Sequence, residues 1–279
     1  MSNFATTLHQ PQHYNATMEF QQLLVALGLT TIAGLSTGIG GILVFLTRRE
    51  NTKFLTLTLG FSAGVMLFVS FVDIFPGATH LFTNQFGDHS LLATTLSFFG
   101  GMALIAIIDF LIPENGNPHE IHEIAEAPTA QRFQRMGILL ALSIAIHNFP
   151  EGIATFAMSL EGVEVALPMV LAIALHNIPE GTTIAVPIYQ ATGNKKKALF
   201  YATLSGLAEP LGAIVAFLIL RPFWNETIEA TILAITAGIM VYISIDELLP
   251  TSERYGHHHI SILGVVLGMA LMAASLILL

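Results

Sequence analysis

The sequence predicts an all-α membrane protein with eight transmembrane helices, and three observations lead there. Of its 279 residues 53% are hydrophobic and only 10% charged, for a mean hydropathy of +0.70, which leaves too little polar surface to cover a soluble globule. The apolar residues fall in eight stretches, each near the length of about 20 residues that a spanning helix needs. Nine of the ten Lys and Arg lie at four of the intervening connections, the asymmetry expected of a polytopic chain. A net charge of −9 argues against nucleic acid as a partner, and the absence of cysteine removes thiolate ligands, disulfides and thiol redox chemistry.

The first span, 19–46, follows a polar segment without a basic n-region, which does not read as a cleaved signal peptide. It carries GLSTGIGG from Gly34 and is closed by Arg48, Arg49 and Lys53. The second, 54–76, contains AGVMLFVSFVDIFP from Ala63, with Met66 inside and Asp73 near its end. The third, 91–112, carries GMALIA from Gly101 and ends near Asp109, an interfacial acid. A loop over 113–134 then brings His119, Glu120, His122, Glu123 and Glu126 together before Arg132 and Arg135. The fourth and fifth spans, 135–159 and 164–188, hold the hexapeptides His147-Asn148-Phe149-Pro150-Glu151-Gly152 and His176-Asn177-Ile178-Pro179-Glu180-Gly181. The sixth, 197–220, begins at Lys195, Lys196 and Lys197 and carries GLAEPLGA from Gly206, with Glu209 beside Pro210. The seventh, 227–249, follows Arg221 and contains AGIMVYISIDELLP from Ala237, with Met240, Asp246 and Glu247. The eighth, 259–279, follows Arg254, His257, His258 and His259 and carries GMALMA from Gly268.

Under the positive-inside rule the basic connections face the cytoplasm and both termini lie outside, which an even number of spans satisfies. The motifs also repeat. Residues 63–76 align without a gap on 237–250, sharing Ala, Gly, Met, Ser and Pro in register, and the glycine motifs match span 1 to span 6 and span 3 to span 8. Mates five spans apart run in opposite directions, so spans 1–3 and 6–8 form an inverted repeat around the antiparallel pair 4–5, where 142–152 match 171–181. Such repeats are a transporter architecture with its site at the bilayer midplane.

In each hexapeptide the Glu lies four residues after the His and three after the Asn, so the side chains share one helical face and the carboxylate is common to both pairs. A shared carboxylate can bridge two metals. Pro150 withholds its N–H from Ile146, which favours a kink and leaves a backbone oxygen free. His147, His176 and Glu209 each lie twelve residues past the start of their spans, about 18 Å deep in a core of about 30 Å. Ionisable groups there cost about 2.5–3.5 kcal/mol each unless something binds them, and no Lys or Arg lies in the interior of any span. Three glutamates, two imidazoles and two amides at one level form an anionic pocket that calls for a cation. Imidazole nitrogen with carboxylate oxygen suits zinc, iron(II), manganese, cobalt or cadmium. Met66 and Met240 are candidate thioether ligands. Asp73 near the outer mouth and its repeat mate Glu247, beside Asp246 near the inner mouth, read as entrance and exit. His119 and His122 read as weaker ligands for metal leaving the pore.

At these residues the chain resembles the ZIP family of divalent metal transporters, over all eight spans, with HNFPEG, HNIPEG and the segment from Ala208 to Gly212 as the most specific parts. The resemblance implies uptake into the cytoplasm across a bacterial inner membrane, through two adjacent metals. One would be held by His147, Glu151, His176 and Glu180, the other by Asn148, Glu151, Asn177, Glu180 and Glu209. It also implies a homodimer, a tilting of one helix bundle against another, and no resident cofactor, the metal being cargo. No P-loop is present to power transport. Proton competition is expected at such a site, with uptake weakening as pH falls through the carboxylate range. The rival from another class is an intramembrane zinc hydrolase, which wants a closed three-ligand set and a base as in HExxH; Asn follows each His here and no HExxH occurs. A carrier of organic cations would call for aromatic side chains around the acids, where only Phe149 and Phe156 stand near.

Overall fold

The computed structural model describes residues 20–46, 51–111 and 130–278, and the regular structure among them is entirely helical. In chain order the helices are α1 (Phe20–Leu43), α2 (Thr52–Val69), α3 (Phe75–Phe86), α4 (Ser90–Leu111), α5 (Ala130–Glu161), α6 (Val163–Thr192), α7 (Lys195–Gly206), α8 (Ala208–Val215), α9 (Glu226–Ile243), α10 (Leu249–Glu253) and α11 (His258–Leu278). Asn51, Asn194 and Asn225 start α2, α7 and α9 by accepting from the N–H three residues on, at Phe54, Lys197 and Ile228, which satisfies a donor that the first turn leaves open.

Among the described residues, seven helical runs are long and apolar enough to cross a membrane. Six lie over single predicted spans: Gln21–Leu46, Phe133–Leu160, Ala166–Thr192, Lys195–Leu220, Glu226–Glu253 and His258–Leu278. The seventh, Thr52–Phe110, is a run of 59 residues that covers both the second and the third predicted spans. It is not straight. Gly87 takes φ +51°, a backbone conformation that a side chain would resist, and α4 beyond it packs on α3. The loop predicted over 113–134 differs at its end, because Ala130–Gln134, rich in helix formers, already belong to α5.

Two π-helical turns occupy matching places. Ser70–Ile74 joins α2 to α3, and Ser244–Leu248 joins α9 to α10. In each, the N–H five residues after the serine bonds back to its carbonyl, Phe75 to Ser70 and Leu249 to Ser244, and a proline follows at once, Pro76 or Pro250. Proline cannot donate to the carbonyl four residues back, so the ladder widens before it. Span 6 breaks at Leu207 for the same reason: Pro210 leaves the Gly206 carbonyl without its helical donor.

The helices pack in two sets. One comprises α1, α5, α6, α7 and α8; in the other α2 lies on α11 and α9 on α3 and α4. The main apolar core lies where the sets meet, around Met66, Ile144, Ile184, Met240 and Ile243, all fully buried. Within each set, backbones approach so closely that only glycine fits. A β-carbon on Gly64 would lie 2.1 Å from Val265 O, and one on Gly238 2.0 Å from Phe98 O. On Gly40 it would lie 1.9 Å from Ile178 O, and on Gly212 2.1 Å from Phe149 O. The members of each couple exchange under the register of the sequence repeat, residue by residue.

Candidate metal centre

The centre is built on α5 and α6, antiparallel neighbours that run helical through Pro150 and Pro179. Between Met136 and Asn194 there is no Lys or Arg. His147, Asn148, Glu151, His176, Asn177, Glu180 and Glu209 are all buried, none more than 4% exposed. The histidines do not bond to the glutamate of their own motif, as the spacing within one helix suggests. They cross. His147 Nε2 lies 3.2 Å from Glu180 Oε1, and His176 Nε2 lies 2.8 Å from Glu151 Oε1. The sequence shows same-face spacing within a helix, whereas the crossed pairing depends on how α5 docks on α6.

The glycine that ends each hexapeptide admits a third helix. A β-carbon on Gly152 would lie 2.1 Å from Glu209 O, and one on Gly181 would lie 1.7 Å from Thr37 O. Through the first contact α8 delivers Glu209, whose Oε1 accepts a short hydrogen bond from Asn177 Nδ2; the same nitrogen donates to Ala33 O on α1 at 3.0 Å. One oxygen of each glutamate is thus engaged. The other oxygens of Glu151, Glu180 and Glu209, the Asn177 carbonyl and both amide atoms of Asn148 are buried without a hydrogen-bond partner. Each such atom costs about 1–3 kcal/mol, and an acceptor-rich group of this kind is relieved by a cation. The donors meet in pairs: among the described residues no three His, Asp or Glu side chains are already grouped to hold a metal ion.

Of the other predicted residues, Asp73 is exposed and lines a cleft, with Ala154, Ala172 and Thr236, that ends on Glu151 and His176. At the other end Glu247 is buried and accepts a short hydrogen bond from Ser143 Oγ of α5, with Asp246 half-buried beside it. Met66 and Met240 are both 0% exposed in the apolar core, and Ser62 Oγ lies 4.0 Å from Met66 Sδ. His119 and His122 lie outside the described residues. The triple histidine is divided among separate contacts, His257 Nε2 lying 3.4 Å from Thr52 Oγ1 and His258 Nδ1 2.8 Å from Glu253 Oε2. Sequence reasoning missed Ser143 and Thr37. The signal for the first was available, since Ser143 stands where the companion motif has Ala172.

The family model described as ZIP Zinc transporter matches residues 112–276, which include both hexapeptides and Glu209. Among curated relatives, "Zinc transporter ZupT" of Streptococcus mutans serotype c is 55% identical over 262 residues, covering 92% of this chain and 98% of the relative. The ZupT of Akkermansia muciniphila is 52% identical over 264 residues, covering 91% and 97%, and that of Chlorobium phaeovibrioides 53% over 262, covering 92% and 98%. With the crossed His–Glu pairs in a multi-helix membrane protein, these matches establish that the chain belongs to the ZIP zinc transporter family.

Proposed function

We propose that the protein carries zinc, and with it iron(II), manganese, cobalt and cadmium, into the cytoplasm by alternating access through a two-metal centre. The observation that carries this reading is the pair of crossed His–Glu contacts, with second carboxylate oxygens left bare in a region without cationic side chains. His147, His176, Glu151 and Glu180 take one ion; Asn148, Asn177 and Glu209 take the other, with the two glutamates shared. Mixed nitrogen and oxygen donors suit exchangeable first-row dications. The transporter relatives and the absence of HExxH speak against the hydrolase, so the chain is a transporter and not an enzyme.

In this reading the 59-residue run crosses twice, turning at Gly87, because about 1.5 Å of rise per residue would carry a straight helix of that length almost three times through the core. That makes eight crossings, with both termini outside a bacterial inner membrane. The exchanging glycine contacts and the paired π turns support the inverted repeat. Asp73 marks the entrance and Glu247 the exit. The protein works as a homodimer, a state that light scattering of the purified protein in detergent would test.

Uptake of zinc and of iron(II) into liposomes containing the purified protein tests the site. Saturable flux that disappears in both Glu151→Ala and Glu180→Ala is expected. Flux that survives in both variants would place the transport site elsewhere.

A further inference from the structure

The ligands given above to the second ion form couples under the register of the repeat, Asn148 with Asn177 and Glu151 with Glu180, except for Glu209. Its register mate is Thr37, since GLSTGIGG from Gly34 aligns with GLAEPLGA from Gly206. The backbone treats the two alike. Thr37 O abuts Gly181 just after Glu180, as Glu209 O abuts Gly152 just after Glu151. A β-carbon on Gly206 would lie 2.9 Å from Thr37 Cβ, and one on Gly34 would lie 3.2 Å from Glu209 Cβ.

Thr37 is 0% exposed, and its Oγ1 has no hydrogen-bond partner. Elsewhere on α1, Thr30 and Thr31 satisfy their hydroxyls on the carbonyl four residues back, Ala26 O and Leu27 O. The carbonyl four back from Thr37 is Ala33 O, which accepts instead from Ser36 Oγ and from Asn177 Nδ2 of the centre. Asn148, which stands to Thr37 as Asn177 stands to Glu209, has both amide atoms buried and unpartnered. Two unmet polar side chains therefore occupy the places where the other half of the centre has a hydrogen-bonded Asn–Glu pair.

We propose, building on the two-ion reading above, that Thr37 Oγ1 is the sixth oxygen of the second ion's shell, across from Glu209. With Asn148, Glu151, Asn177, Glu180 and Thr37 around it, and Glu209 opposite, that ion has an all-oxygen, six-donor environment of the kind that manganese and magnesium favour and tetrahedral zinc does not. A neutral hydroxyl here also leaves three carboxylates to two dications, so the second ion is held weakly enough to leave.

The test is Mn²⁺ binding to the purified full-length protein, followed by electron paramagnetic resonance, for the parent, Thr37→Val, Thr37→Ser and Thr37→Asp. The parent is expected to bind two ions. Valine keeps the shape and removes the hydroxyl, and should weaken the weaker site by roughly tenfold with the stronger one unchanged; serine should restore it, and aspartate should tighten it and slow release. Unchanged Mn²⁺ binding in Thr37→Val, or equal loss at both sites in the valine and serine variants, would overturn the assignment of Thr37 alone. A parent that binds a single ion would overturn the two-ion reading itself.

Discussion

Gly181 and Glu180 are neighbours in sequence with opposite requirements, one needing no side chain so that the other can be held in place. A β-carbon at Gly181 would stand 1.7 Å from the Thr37 carbonyl, and backbone cannot retreat as a flexible side chain does. Gly181→Ala is therefore expected to cost about 1–3 kcal/mol of stability, read as a lowered midpoint of thermal unfolding in detergent. Gly77→Ala meets open space within α3 and, alanine being the better helix former by about 1 kcal/mol, should leave the midpoint unchanged or raised. All seven candidates are picked out from the sequence, the glutamates and histidines because ionisable groups without a counter-ion at bilayer depth have few explanations, and the asparagines because they share the repeated motif. The crossed pairing is not, since spacing within a helix says which residues share a face and nothing about the partner that face meets. Thr37 escapes for a related reason: between glycines on an apolar helix a threonine reads as small-residue packing, and only the repeat register sets it opposite Glu209.

Among the elements, the two π turns present their acids differently. Glu247 is tied to Ser143 of α5, whereas its mate Asp73 lines a cleft together with Ala172, the mate of Ser143. Alanine has nothing to donate, so only the Glu247 end is latched. Replacing Ser143 by Ala should release that end, and Ala172→Ser should give the Asp73 end a latch of its own. Because the chain has no cysteine, a single cysteine at Ala154, which lines the cleft, reports on both. Its labelling by a membrane-impermeant thiol reagent from the Asp73 side should fall in either background, and labelling that is unchanged in both would remove the latch from the mechanism. Six of the apolar helical runs lie over single expected spans because hydropathy changes sharply near polar caps such as Asn194 and Asn225. The join between the second and third spans was not readable, because the stretch after Pro76 continues as helix up to Gly87.

For the assembled chain, the orientation proposed above rests on the distribution of Lys and Arg. Asp88→Cys, in the turn beyond Gly87, should label from outside intact cells, and Lys196→Cys only after permeabilisation; the reverse would invert the topology proposed from the basic connections. The close glycine crossings bear on how such a chain moves. Among the described residues, every helix crossing in which a carbonyl rests on a glycine belongs to one set or the other, and none bridges them. The two sets touch mainly through apolar side chains, with side-chain hydrogen bonds from Ser143 to Glu247, from Gln190 to Asn51 O and from Tyr255 to Met136 Sδ among the links. Crossings made backbone to backbone resist sliding, while a seam of side chains can re-register at small cost. All seven metal-binding candidates stand on the same side of that seam, so under the alternating access proposed above a captured ion would travel as a rivet in one moving plate, with its ligands keeping their mutual distances while the opposite wall slips past.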